Sequence, residues 1–223
     1  MSKKIENQEE IVVAEAVSKT EKFFEQNGKK VIIALVAFVL VFAGVFGFKV
    51  FILDKNEAAA AELMLVAQER LDGETPNYEL ALNGDESGAG FLEVIEQYGS
   101  TKAGNLAKHY VGTCYLRLGK FEEAAKALAE YDAVRNEPII NAQNIGLQGD
   151  VAVELEKYEE AAKLFAEAAE ESNNEYTAPL YLYKQALALD KAGKREEAKA
   201  CAKTIIEKYP SANEAAQAEK LLY

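Results

Sequence analysis

The feature that most constrains this 223-residue chain is a pattern that recurs every 37 residues. The segments KFEEA, KYEEA and KREEA begin at Lys120, Lys157 and Lys194 and align without a gap. A fixed period of this length predicts that each copy is one supersecondary unit. Because no copy can bury its apolar face alone, the copies are expected to stack side by side.

Composition indicates that each unit is a pair of helices. The chain is rich in Ala, Glu and Lys and has only 4 prolines and no Trp, which favours helices over sheets. Two helices can cross closely only where their side chains are small. Such residues recur at the period in both helices, at Gly112, Gly149 and Ala186 and at Ala124, Ala161 and Ala198.

The repeat resembles the tetratricopeptide repeat (TPR). GTCYLRLGKFEEAAKAL, from Gly112, and GDVAVELEKYEEAAKLF, from Gly149, carry the small residue of the first helix and the aromatic-x-x-Ala start of the second. The third copy departs with Arg195 at the aromatic position, although Gly193 and Pro210 are in place. The resemblance implies an all-α solenoid of helix-turn-helix repeats that binds other proteins.

These repeats and their flanks define the expected domains. Residues 99–223 are expected to form three TPR-like repeats and a C-terminal capping helix. Residues 54–98 are expected to form a membrane-proximal helix over 57–72, a loop over 73–88 and a short helix over 89–98. Together these three segments are interpreted as a degenerate first repeat, with the loop marked by its Gly, Pro and Asn-Gly residues.

An apolar run precedes this domain. Residues 31–48 are uncharged, and the apolar run continues past Lys49 to Leu53. A helix of this length rises about 27–35 Å, against a hydrocarbon core of about 30 Å. We therefore expect a single N-terminal transmembrane helix over 31–53. A cleaved signal peptide is disfavoured because the 30-residue lead contains six glutamates.

Lysines that flank the span indicate its orientation. Four lie on the N-terminal side and two on the C-terminal side, at Lys19, Lys22, Lys29, Lys30, Lys49 and Lys55. Because the more positive flank stays in the cytoplasm, residues 1–30 are expected to be a cytoplasmic tail and the large domain to lie outside. A cytosol-facing TPR receptor with the opposite topology is the alternative.

Two smaller patterns lie in and before the span. Residues 9–26 have the apolar spacing of a short amphipathic helix, which Asn27-Gly28 is expected to end. Ala43 and Gly47 form a small-xxx-small pair that allows another membrane helix to approach closely.

The wider arrangement resembles the YfgM-type proteins of Gram-negative bacteria. It combines a lysine-flanked anchor, an Ala-rich helix and VIEQYGSTKAGNLAKHYVG over Val94–Gly112. This resemblance implies an inner-membrane anchor with a periplasmic domain. It also implies association with Sec translocon components and a membrane-anchored prolyl-isomerase chaperone.

In TPR proteins the first helix of each pair lines a concave groove, so the family resemblance also implies binding residues. The positions obtained by alignment are Leu106, His109, Thr113, Leu116 and Arg117, then Gln143, Gly146, Asp150, Val153 and Glu154, then Leu180, Tyr183, Leu187, Asp190 and Lys191. The Lys/Asn clamp by which some TPR domains hold a C-terminal carboxylate is missing, which argues against capture of chaperone tails.

The remaining residues argue against other functions. Residues 54–223 contain 18 Lys and Arg against 31 Asp and Glu, so binding to a nucleic-acid backbone is disfavoured. His109 is the single histidine, and neither metal-ligand spacing nor a phosphate-binding or catalytic motif is present. Cys114 and Cys201 are expected to be two separate, mostly buried thiols. We therefore expect a non-enzymatic adaptor without a cofactor, metal or small-molecule substrate.

Overall fold

The computed structural model describes residues 2–48, 54–72 and 74–223, with side chains given for Phe23 and from Glu25 onward. The chain divides into two compact units, Met1–Lys55 and Asn56–Tyr223. In the described residues the chain is mostly helical. The expected all-α, TPR-like solenoid with one apolar N-terminal helix is confirmed.

The first unit is formed by helix α1, Ser2–Phe48. The expected break at Asn27-Gly28 is wrong, because α1 runs through both residues. The Asn27 amide donates to the Phe23 carbonyl oxygen at 3.2 Å, one helical turn back. One glycine within a long helix costs only about 1 kcal/mol relative to alanine, which is too little to end it.

Within α1, Glu25–Phe48 is long and apolar enough to cross a membrane, and no other helix in the described residues meets that criterion. Its apolar side chains are exposed. Residues 49–53 of the expected span lie outside the described residues. Most of the side chains that form the expected amphipathic stripe over 9–26 lie outside them as well.

The second unit begins with an irregular region. It contains α2 (Asp54–Glu69), α3 (Tyr78–Asn83), β1 (Gly84–Asp85), β2 (Gly88–Ala89) and α4 (Phe91–Tyr98). The two short strands pair antiparallel. The expectation of a plain loop over 73–88 is therefore wrong, because this segment contains a short helix and most of a two-stranded ribbon.

One buried side chain holds this irregular segment. The Arg70 guanidinium donates to the carbonyl oxygens of Leu80, Gly88 and Ala89, at distances of 3.2, 2.8 and 2.6 Å. It also donates to an Asp85 carboxylate oxygen at 3.0 Å. The arginine side chain is only 9% exposed, and the four hydrogen bonds from its two terminal nitrogens all go to the chain around it.

Three helix pairs follow. They are α5 (Lys102–Arg117) with α6 (Phe121–Ala129), α7 (Pro138–Glu154) with α8 (Tyr158–Ser172), and α9 (Ala178–Lys191) with α10 (Arg195–Lys208). Helix α11 (Asn213–Ala218) and a 3₁₀ turn (Glu219–Leu222) pack against α10 at the C-terminal end. The first helix of each pair is called helix A below, and the second helix B.

Small residues allow the close crossing within a pair. A Cβ added to Gly112 would collide with the Leu128 side chain, and one added to Gly149 would lie 2.6 Å from the Phe165 ring. Leu128 and Phe165 are one period apart and both are fully buried. The crossing expected at the periodic small residues is therefore observed in the first two pairs.

The turns between the paired helices also repeat. Gly119, Glu156 and Gly193 are 37 residues apart, and each has a positive φ, of 72°, 59° and 77°. The following backbone N–H donates back across each turn at 2.8–2.9 Å, as in a Schellman cap. Only the middle turn places a residue with a Cβ in this left-handed conformation.

Helix α6 is shorter than the other two B helices, and buried asparagines hold the chain that follows it. Asn105 exchanges hydrogen bonds with the backbone of Asp132 at 2.7 and 2.8 Å. Asn141 does the same with Val134 at 2.9 and 3.0 Å and also accepts from the Tyr131 hydroxyl. These bonds satisfy backbone groups that a longer helix would have paired internally.

The two thiols are separate and free, as expected, with Cys114 buried and Cys201 half-buried. Burial raises the pKa of Cys114 to about 12. It also raises the pKa of Cys201, with a further contribution from the charge of Glu197.

Candidate protein-binding groove

The A helices α5, α7 and α9 line a first depression of about 300 Å³. Side chains spaced by three, four or seven residues share one face of a helix, so each A helix presents a short stripe here. The lining residues are His109, Tyr110 and Thr113 from α5, Gln143, Gly146, Leu147 and Asp150 from α7, and Leu180, Tyr181 and Lys184 from α9.

A second depression of about 320 Å³ adjoins the first and shares Asp150 and Lys184 with it. Its lining combines helices α7, α8 and α9. The other residues are Val153, Tyr158, Phe165, Leu187, Ala188, Asp190 and Lys191. We call the two depressions together the groove.

An ion pair stands where the two depressions meet. The Lys184 ammonium lies 2.8 Å from both carboxylate oxygens of Asp150. It also lies 5.5 Å from the centroid of the Phe165 ring, within range of a cation–π interaction. About a third of each side chain is exposed, so the pair reaches the groove while its charges are directed at each other.

His109 lies at one end of the groove and is only 6% exposed. Its Nδ1 is 3.2 Å from the Asn144 amide oxygen, and the Asn144 amide nitrogen donates to the Leu128 carbonyl. This chain of bonds assigns the proton to Nδ1. Burial lowers the pKa of His109, against the opposing effect of Asn144, so the imidazole is neutral at pH 7.

Apolar side chains remain exposed along the groove. Leu180 is 37% and Leu187 40% exposed. On α7, Ile139 lies on the same face as Gln143, Gly146 and Asp150 by its helical spacing, and it is 60% exposed. These side chains extend the apolar surface from the two depressions onto the rim.

The structure brings ten of the fifteen positions predicted by the TPR alignment into the groove. His109, Thr113 and Asp150 line the first depression, and Asp150, Val153 and Leu187 the second. Gln143, Gly146, Leu180, Asp190 and Lys191 also line the groove.

The other five predicted positions lie elsewhere. Leu106 packs against the core of the N-terminal region, and Leu116 packs with Leu128 and Val151 between α5, α6 and α7. Arg117 and Glu154 are exposed at the C-terminal ends of α5 and α7. Tyr183 packs against the small C-terminal core formed by α10 and α11. In α1, Ala43 is exposed, and a Cβ added to Gly47 would have no atom within 4 Å.

Sequence alignment missed several residues that contribute to the groove, above all Lys184, Tyr181 and Phe165. Lys184 is 37 residues after Leu147, so the period relates these two lining residues directly. Each A helix lines the groove with side chains from two adjacent rows along its surface, whereas the TPR alignment predicted mainly one of these rows. Including the adjacent position on each helix would have found Leu147 and Lys184.

Comparison with known proteins agrees with the repeat. The family model of the tetratricopeptide repeat matches residues 181–212, which span most of α9, all of α10 and the turn after it. This is the copy with Arg195 at the aromatic position. No curated protein matches the chain.

Proposed function

We propose that this protein is a membrane-anchored adaptor that binds other polypeptides in the groove of its TPR array. The observation that carries the proposal is the row of exposed apolar side chains, Ile139, Leu180 and Leu187, along helices whose other leucines are buried or half-buried. Exposed apolar surface beside a concave depression is characteristic of a protein-binding site. No catalytic step is part of this function.

The proposed anchor is the apolar segment of α1. Its length and exposed apolar side chains suit a lipid environment. The excess of lysines on its N-terminal side supports a cytoplasmic N-terminus and a repeat domain on the opposite side of the membrane. The resemblance to the YfgM-type proteins supports a bacterial inner membrane and a periplasmic location for that domain. Such an anchor would keep the groove close to membrane partners and raise their effective concentration.

The proposed partners are Sec translocon components and a membrane-anchored prolyl-isomerase chaperone. This part rests on the resemblance to the YfgM-type proteins. Within the membrane, contact with a partner helix is proposed through Ala43 and Gly47, whose small size would allow close approach.

Topology is tested with a thiol reagent that cannot cross the inner membrane. Both native cysteines are first replaced by alanine, and single cysteines are placed at Asn83, which is exposed, and at Gln8. In intact cells with a permeable outer membrane, the reagent should modify the cysteine at position 83 but not the one at position 8. The reverse pattern would support the cytosol-facing alternative.

The groove is tested by photo-cross-linking in native membranes. A photoreactive residue at Gln143 or Leu187 should capture polypeptides, whereas one at Glu167 should not, because Glu167 is exposed on helix B and does not line the groove. Capture from position 187 should fall when Leu180→Ser is added without a change in melting temperature. Equal capture from positions 167 and 187 would contradict the groove as the binding surface.

A further inference from the structure

The groove is electrically neutral, although the domain around it is strongly acidic. Residues 54–223 have a net charge of −13, from 18 Lys and Arg and 31 Asp and Glu. The charged residues that line the first depression are Asp150 and Lys184, and the second adds Asp190 and Lys191. With His109 neutral, each lining has as many positive as negative side chains.

At the centre of the groove, the two opposite charges satisfy each other. Both oxygens of Asp150 accept from the Lys184 ammonium, which also lies 5.5 Å from the centroid of the Phe165 ring. A charged side chain of a binding partner could pair fully with one member only by displacing the other. The displaced charge would then lose its partner in a partly desolvated site, which is unfavourable.

We propose that the Asp150–Lys184 pair is a specificity device, through which the groove accepts an uncharged apolar polypeptide segment and rejects one with a charged residue at its centre. The inference rests on the proposed function, because it takes the groove as the binding surface. The segment's apolar side chains pack against Leu180 and Leu187, and its central residue lies over the closed ion pair. Specificity then arises from rejection of charged centres as much as from apolar attraction.

The full-length protein in lipid nanodiscs is titrated with three fluorescent nonapeptides, with empty nanodiscs as the reference. The peptides alternate leucine and serine and differ only in the central residue, which is threonine, lysine or aspartate. Binding is measured by fluorescence anisotropy. The threonine peptide should bind at least about tenfold more tightly than the other two, which corresponds to ~1.4 kcal/mol.

Removing one charge at a time should change this preference in opposite directions. Asp150→Asn leaves Lys184 unpaired and should favour the aspartate peptide. Lys184→Met leaves Asp150 unpaired and should favour the lysine peptide. The double variant again has no unpaired charge and should favour the threonine peptide. Glu160→Gln, on the exposed face of α8, serves as the control and should leave the wild-type preference unchanged.

The outcomes separate this inference from the proposed function. If all three peptides bind the wild type equally well, or if the single variants do not shift the preference, the specificity device is refuted while the groove remains a binding surface. If no peptide binds the wild type, the groove assignment and this inference both fail. Melting curves of each variant show whether a loss of binding reflects unfolding, and the double variant provides a second test if a single variant does not fold.

Discussion

In residues 54–98 one buried arginine holds an irregular segment of chain, whereas in α5–α10 small residues and capped turns recur every 37 residues. Arg70 donates hydrogen bonds to three carbonyl oxygens and one carboxylate within a stretch of ten residues. In the helix pairs, Gly112 and Gly149 let the paired helices cross closely. The difference indicates that the turns and ribbon of the first region depend on a single side chain for their hydrogen bonds, while the second region distributes its stability over repeated contacts.

The largest effect is therefore expected from Arg70→Met. The exposed carboxylate of Asp85 can form hydrogen bonds with water instead. The carbonyl oxygens of Leu80, Gly88 and Ala89, however, would lose a charged hydrogen-bond donor in a partly buried site. We expect a loss of ~3–5 kcal/mol in the free energy of unfolding. Faster hydrogen exchange should be concentrated in α3 and the β1–β2 ribbon, since the lost bonds are local to these elements.

Arg117→Met is the matched control, because Arg117 is exposed at the end of α5. It should change the free energy of unfolding by no more than ~0.5 kcal/mol. If both arginine variants unfold at the same denaturant concentration, Arg70 does not organise the region and the contrast between the two regions is wrong.

An intermediate effect is expected from overpacking the repeats. Ala161 is fully buried in the core that α7, α8 and α9 share, so Ala161→Leu should cost ~1–3 kcal/mol. The neighbouring Glu160 is exposed, and Glu160→Gln should stay within ~0.5 kcal/mol. Chemical denaturation of both variants provides the measurement, and equal midpoints would show that this face of α8 is not packed.

The same contrast explains which parts of the fold could be predicted from the sequence. Close helix crossing demands a small residue in every copy, so Gly112 and Gly149 recur at the period and mark the helix pairs. Arg70 occurs once, and three of its partners are backbone carbonyls, which any residue supplies. No sequence pattern therefore predicts the two-stranded ribbon that Arg70 holds.

The groove was partly predictable for a related reason. The period identifies equivalent positions on the A helices, which is how His109, Thr113 and Asp150 were found. It does not identify which of two adjacent positions turns inward in a given copy. Tyr183 packs against the C-terminal core, and Lys184 beside it lines the groove.

A smaller, pH-dependent effect is expected at the junction of the first two pairs. His109 has a pKa below its ordinary value of 6.5, mainly through burial. As the pH falls below 6.5, His109 is protonated in the unfolded chain before it is protonated in the folded one. The contribution of the neutral His109 to the free energy of unfolding is therefore fully present above pH 6.5 and decreases below it. One titrating group cannot change the free energy of unfolding by more than ~1.4 kcal/mol per pH unit.

His109→Gln tests this effect, because glutamine retains a donor for Asn144 but does not titrate. Between pH 7 and pH 5 the wild type should lose more stability than the variant, as measured by denaturant unfolding at each pH. The difference should be absent above pH 7.5. Parallel curves for the two proteins would mean that the histidine is not buried in neutral form.

The smallest effect is expected at the left-handed turns inside the three helix pairs. Glu156 takes the left-handed turn position that Gly119 and Gly193 occupy in the other pairs. A Cβ in this conformation costs ~1–2 kcal/mol, and glycine's greater freedom in the unfolded chain offsets part of the gain from removing it. Glu156→Gly should therefore stabilise the protein by ~0.5–1 kcal/mol.

Gly119→Ala is the mirror experiment. A Cβ there would meet no atom within 4 Å, so its cost comes from the backbone conformation alone. It should destabilise the protein by ~1 kcal/mol. Denaturant unfolding of the two single variants and of the double variant measures whether each change raises or lowers the free energy of unfolding. The two effects should add, because the two turns share no hydrogen bonds. If Glu156→Gly destabilises the protein instead, the Glu156 side chain supports its turn, and the three turns are not equivalent.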